Sequence, residues 1–351
     1  MTEDILPFLK SLLSAPGLTG HEAPVASLIE AKWKTIADRT QRTRLGSVHA
    51  LSDGDGFQPR PKLLISAHMD AIGMMVAGVA DGFLTLSPVG HVDARVLPSQ
   101  SVIVHGREPL RGIVVPLPPS FRADPKSAVT FDDLRVDVGL PPKRLAQLVR
   151  PGDLISFATE PLEMRGGIIS GHSLDNRASI AALTLAMEEL QLVRHDWDVW
   201  FAATVQEELT YAGGGTSAFA LKPDLAIIVD VTFGEDGNGK SHETFPLGGG
   251  PTLGVGPTVH PFLLKTLKEL AKQIEIPFAI EPMPKESFTE ADLIQLTGAG
   301  IPTAILSIPL RYMHTPVELV SLADIERAAK LLTAFSAMLT RNFMQTVTWD
   351  D

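Results

Sequence analysis

The chain is predicted to be an α/β protein: a mixed sheet sandwiched by helices, with a smaller β-rich domain inserted into it. Three features lead to this. Helical apolar stripes alternate with short apolar, strand-like runs before position 72 and again after position 165. Between those limits, runs such as VIVHG, GIVV and DLISFA are punctuated by Gly and Pro, and no long amphipathic helix intervenes. The length of 351 residues exceeds the usual single core and suits two domains.

In chain order, Ile5, Leu6, Leu9, Leu12 and Leu13 form one helical stripe that stops at Pro16-Gly17. Thr19-x-x-Glu22 then has the spacing of a capping box for a second helix carrying Val25, Leu28, Ile29, Trp33 and Ile36. Strands are expected at 48–51 and 62–67 on either side of the turn-rich DGDGFQPRP, the second running into His68-Met69-Asp70. His68 and Asp70 then share one side of an extended backbone. The β-rich insertion spans 72–165, and its loop PLPPSFRADPK at 116–126 reads as mobile or partner-contacting. The remaining pieces, 1–71 and 166–351, make up one discontinuous domain. Its second half contains a helix over 176–192 preceded by Asp175, an apolar run from Trp197 to Val205, and a helix around 216–220. The strand LAIIV follows, stopping at Asp230, then a helix over 261–274, a strand over 303–308 and a helix over 321–343.

The run ending at Val205 delivers Glu207 and Glu208 just before the glycine-rich turn TYAGGG. On an extended backbone these neighbours point to opposite sides, so that one could face a metal and the other the molecule it activates. His68, Glu207, Glu208, Asp230 and His314 all follow predicted strands, and Asp175 heads a helix. Ligands of open α/β sheets lie beyond the carboxyl ends of the strands, so these segments converge on one edge. Each residue alone has a bland role: core histidine, N-cap, turn or surface residue. Together, nitrogen and oxygen donors without cysteine suit zinc, cobalt or manganese, and shared carboxylates suit a metal pair about 3.5 to 4 Å apart. Such a pair is suited to amide hydrolysis.

Composition narrows the partners. The apolar fraction of 44% and charged fraction of 20% are those of a folded globular protein. A net charge of -11 disfavours nucleic acid and anionic membrane surfaces. Zero cysteines exclude disulfides, thiolate sites and a cysteine nucleophile, and fit a reducing cytoplasmic compartment. Acidic residues in MTEDILPFLK stand where a signal peptide needs positive charge, so the start is expected to be a mature helix.

The set AHMD at 67–70, LDNR at 174–177, VQEE at 205–208, IIVDVT at 227–232 and IPLRYMHTPVE at 308–318 resembles the cytosolic co-catalytic metallo-aminopeptidases. These include glutamyl aminopeptidase and the tetrahedral aminopeptidases. The resemblance covers nearly the whole chain and implies a zinc-peptidase-like catalytic domain that removes amino-terminal residues from short peptides. It implies two divalent ions per subunit, zinc or cobalt, with manganese a third candidate. His68 and Asp230 would hold one ion, Glu208 and His314 the other, and Asp175 both. Glu207 would be the general base, and Asp70 would hold His68 in its tautomer. A cis peptide after Asp175 is implied, as are dimers building a tetrahedral dodecamer, with the β-rich domain serving oligomerisation and substrate access. Ala71, TYAGGG and TEAD at 289–292 depart from the usual pattern without removing a proposed ligand, and bear on substrate preference and assembly. Alternatives of other classes are a related deacylase, an endoglucanase-like glycosidase and a non-catalytic scaffold. The glycosidase leaves both histidines and Asp230 without a role, and the scaffold leaves a costly charge cluster without one.

Overall fold

The strands Asp198–Thr204, Lys62–His68, Leu225–Phe233 and Thr303–Arg311 lie side by side and parallel, and they bring the candidate residues to one edge. The computed structural model describes residues 4–122, 124, 126–237 and 243–348. Antiparallel strands flank this centre: Val48–Ser52 and Arg39–Arg42 on one side, and Glu318–Ser321, Ile168–Gly171 and Leu162–Met164 on the other. Thr252–Val255 and Ala279–Pro282 add a side branch, giving eleven strands among the described residues. Runs such as KLLISAH and LAIIVDVTF are buried almost throughout because helices cover both faces, the expected pattern for a parallel centre.

Alternation along the strands sorts the two cores. Leu63, Ile65 and Ala67 enter the larger one, with residues from the helices Leu6–Ser14, Ala23–Trp33, Leu174–Leu190 and Leu322–Met338. Leu64, Ala226, Ile228 and Ile305 enter a smaller one with the helices Ala212–Leu221 and Ala291–Ile294. By the same parity, His68 follows Leu64 and Asp230 follows Ile228, so both belong to the thinner side of the sheet.

The segment after Ala71 forms a closed six-stranded barrel among the described residues: Gly73–Ala80, Phe83–Val89, Leu134–Asp137, Pro109–Pro116, Ser101–His105 and Leu154–Phe157. It has a core of its own, with Met74, Leu84, Val102, Val114, Val136 and Ile155. The seven-residue helix Pro142–Leu148 packs Leu145 and Leu148 into that core. Leu162–Met164 pairs with the main sheet, so the barrel's last strand is Leu154–Phe157. In the loop 116–126, Ala123 and Pro125 lie outside the described residues.

Two local expectations give way. The helix Ala23–Trp33 has no side-chain cap; Pro24 sits in its first turn, and the polar atoms of Thr19 and Glu22 are engaged elsewhere. Glu207 and Glu208 are not on extended backbone. Gln206 has φ of 59°, and Glu207–Thr210 is one short helical turn, so the two side chains diverge by helical rotation rather than strand alternation.

Candidate active site

His68 is the last residue of its strand, and Asp230 lies within the strand beside it. Asp175 enters the helix Leu174–Leu190 across a kink where the Asp175-Asn176 peptide is cis, as the resemblance implies. His314 has φ of 61° in the turn after Thr303–Arg311. The structure brings all the predicted residues together. Asp175 lies between the two imidazoles: its Oδ1 is 3.1 Å from His68 Nε2, and its Oδ2 is 3.2 Å from His314 Nε2. His68 Nε2 is also 3.7 Å from Glu207 Oε2 and 3.8 Å from Asp230 Oδ1, and His314 Nε2 is 3.4 Å from Glu208 Oε2. One ligand atom each of His68, Glu207 and Asp230 lie within 4.8 Å of one another, as do those of His68, Asp175 and Glu208.

Asp70 is fully buried, and its hydrogen bonds run mostly to the glutamate turn. Its Oδ1 accepts Glu207 N–H at 3.0 Å, and its Oδ2 accepts Glu208 N–H at 3.2 Å and the Thr19 hydroxyl at 2.8 Å. His68 Nδ1 stands 3.5 Å from Asp70 Oδ1 and 3.3 Å from its backbone oxygen.

The electrostatics are those of a site crowded with acid. Burial, aided by neighbouring carboxylates, pushes Glu207 and Glu208 well above the usual carboxylate range, and Asp230 up to about 8. Burial would also raise Asp175, but hydrogen bonds from His314 and His68 hold it below its ordinary value. For His68 burial acts downward and is outweighed by Glu207, Asp175 and Asp70. Four carboxylates and two imidazoles around one space fit divalent cations, which would compensate the charge that burial disfavours.

Several residues at the site were not singled out by sequence. Glu318 accepts Asp175 N–H at 3.2 Å and His314 N–H at 3.0 Å, bracing two of the candidate ligands. Buried Arg177 donates to the carbonyls of Leu12, Ala15 and Met69. Glu290, in TEAD, accepts the hydroxyls of Ser66 and Thr204 beneath the strand ends. His91, from the barrel segment, stacks on His314 with ring centroids 6.2 Å apart and planes 10° from parallel. Glu318 and Arg177 stood inside quoted motifs, but the Glu318 bond to Asp175 and all three Arg177 bonds cross more than 100 residues, which local spacing does not encode. The cluster opens into a cavity of about 670 Å³ whose walls include Val231, Phe233, Met283, Phe288 and Met313.

The family model for the M42 glutamyl aminopeptidases matches residues 46–331. The lysyl aminopeptidase of Pyrococcus furiosus is 34% identical over 334 residues, covering 93% of this chain and 95% of that protein. Among solved structures, the TET aminopeptidase of the marine sediment archaeon Thaumarchaeota archaeon SCGC AB-539-E09 superposes with a TM-score of 0.92 at 28% identity, covering 98% of this chain and 99% of that one. The Pyrococcus horikoshii TET1 peptidase, described as able to assemble into a tetrahedron or a large octahedral shell, gives 0.82 at 28% identity, covering 96% and 100%. The chain belongs to the M42 glutamyl aminopeptidase family and is a metal-dependent aminopeptidase.

Proposed function

We propose that the protein removes amino-terminal residues from short peptides using two divalent ions, zinc or cobalt, and Glu207 as general base. The observation that carries this is Asp175, whose two oxygens face two different imidazoles at 3.1 and 3.2 Å, an arrangement suited to a bridging carboxylate. His68 and Asp230 would hold one ion, Glu208 and His314 the other, and Asp175 both. When bound, the ions supply Lewis-acid polarisation of the scissile carbonyl and lower the pKa of the attacking water. Glu207 takes the proton from that water and returns it to the leaving amine. Its carboxylate ends in the cleft while its backbone is held from behind by Asp70. Asp70 thereby fixes the base, and its distance from Nδ1 leaves a weaker hold on His68. The apolar walls of the cavity shield the reacting centre from water.

We further propose that the β-rich segment 72–165 contributes assembly contacts and controls access to the cleft, and that dimers build a tetrahedral dodecamer. The assembly described for the Pyrococcus horikoshii TET1 peptidase supports this. Among the described residues no helix is long and apolar enough to cross a membrane, and the chain has no cysteine, which fits a cytoplasmic peptidase. The test is a panel of aminoacyl-p-nitroanilides and their N-acetyl counterparts, assayed with each metal. Cleavage of the free-amine series alone supports an aminopeptidase. Release of acetate from the acylated series indicates a deacylase, and hydrolysis of β-glucan with neither amide series cleaved indicates a glycosidase.

A further inference from the structure

The segment between the first two helices grips the glutamate turn from the side away from the cleft. Leu18 and Ala71 form a parallel bridge, and Thr19 N–H donates to Ala71 O at 3.1 Å. This places the Thr19 hydroxyl on Asp70 Oδ2 at 2.8 Å, on the carboxylate that accepts the N–H groups of Glu207 and Glu208. Glu22 Oε1 accepts Gly20 N–H at 2.7 Å and, 184 residues away, Gln206 N–H at 3.1 Å. Three consecutive N–H groups, 206 to 208, therefore end on just two carboxylates. They are the donors that the start of a helical turn leaves without partners in the turn itself.

The grip is rigid. A Cβ on Gly17 would come within 2.5 Å of the Arg177 guanidinium and 2.6 Å of Val25 Cγ1, so the segment is packed to contact. Arg177 ties the carbonyls of Leu12 and Ala15 to that of Met69, joining the end of the first helix to the turn between His68 and Asp70. Gln206 is held in the left-handed region, at φ of 59°, a conformation that persists for such a residue only with outside support.

We propose that Thr19 and Glu22 are positioning residues that set the placement of Glu207 through the backbone N–H of Gln206 and through Asp70. The proposal rests on the reading of Glu207 as general base. Neither residue lines the cleft that contains Glu207; Glu22 lines a separate cavity of about 600 Å³ together with Pro16, His21, Arg42 and Val205. Both bonds to Glu22 land on a single oxygen, so an amide can reproduce them, an aspartate is one methylene too short, and alanine removes them. The Thr19 bond likewise needs only a hydroxyl.

The experiment compares Glu22→Ala with Glu22→Gln, and Thr19→Val with Thr19→Ser, in the full-length metal-loaded enzyme. It measures kcat and KM on an aminoacyl-p-nitroanilide, bound metal, and hydrogen exchange of a peptide spanning 203–210. Glu22→Ala and Thr19→Val are expected to lower kcat about tenfold, the lower end of the effect of an outer hydrogen-bond partner. KM and metal content should stay at the wild-type values while exchange at 206–208 accelerates. Glu22→Gln and Thr19→Ser should restore both kcat and exchange. Unchanged exchange and kcat in Glu22→Ala, or equal damage from Glu22→Gln, would overturn the proposal. If Glu22→Ala does not fold, the threonine pair decides in the same way. If the wild type cleaves no aminoacyl substrate, the aminopeptidase reading fails, while the exchange data still decide whether these residues hold the turn.

Discussion

The carboxylate of Asp70 accepts the backbone N–H of Glu207 at 3.0 Å, with its other oxygen on the N–H of Glu208 at 3.2 Å. The residue two places after a candidate metal-binding histidine is thus the anchor of the turn that carries both the candidate base Glu207 and the candidate ligand Glu208. Asp70→Asn leaves one acceptor oxygen and turns an NH₂ group towards buried donors. Each unsatisfied donor costs about 1 to 3 kcal/mol, so the denaturant midpoint should fall measurably. Misplacement of Glu207 should lower kcat roughly 10 to 100-fold. Urea titration and steady-state kinetics on the same preparation check both effects.

Metal removal and rebinding should move protons. Without ions, burial pushes Glu207 and Glu208 upward and Asp230 up to about 8, which favours proton uptake that bound cations oppose. Titrating divalent metal into chelator-treated protein at pH 7 should release protons. Calorimetry in two buffers of different ionisation enthalpy counts them. Metal uptake without proton release would contradict the crowded-carboxylate account.

Acidification should release the ions, because His68 and His314 must be neutral to bind them. Activity should fall in step with metal content as pH is lowered. Loss of activity with both ions still bound would assign the control to another group, foremost Glu207.

Stability should also depend on acid at a place remote from the cleft. His49 is buried, with Nε2 2.8 Å from the Ser217 hydroxyl, and burial lowers its pKa to about 4. A histidine kept neutral in the fold but free to protonate when unfolded makes the unfolded state bind more protons between about pH 6.5 and 4, so stability falls as pH falls through that window. The loss is on the order of 3 kcal/mol in total. Denaturation midpoints from pH 7 to 4 should show that slope, and His49→Gln should flatten it.

The sequence made the convergence of the candidate residues legible because they are expected to follow strands or head a helix at the carboxyl edge of the sheet, a rule that needs no distances. His68 at the end of KLLISAH is an instance, whereas the strand expected to stop at Asp230 runs on to Phe233, so Asp230 reaches the site from within it. Local geometry was less legible. Glu207 and Glu208 looked extended because the apolar run before them is a strand, but the left-handed Gln206 breaks it into a helical turn. Thr19 and Glu22 have capping-box spacing, yet their side chains bond to Asp70 and Gln206, partners that only the folded sheet brings near. The stacking of His91 on His314 was likewise hidden, since it joins the barrel segment to a turn more than 200 residues later.

The two adjacent glutamates are proposed to divide the work, Glu207 handling the proton and Glu208 the metal, and metal analysis beside kinetics on Glu207→Gln and Glu208→Gln decides between this division and its reverse. Glu207→Gln should keep both ions and lose roughly 100 to 10,000-fold in turnover, the usual contribution of a general base. Glu208→Gln should lose one equivalent of metal on dialysis and regain part of its activity in excess metal, because an amide is a poor substitute for a charged oxygen ligand. Loss of metal from Glu207→Gln, with Glu208→Gln retaining both ions but inactive, would reverse the assignment, and full activity in both variants would place the chemistry elsewhere.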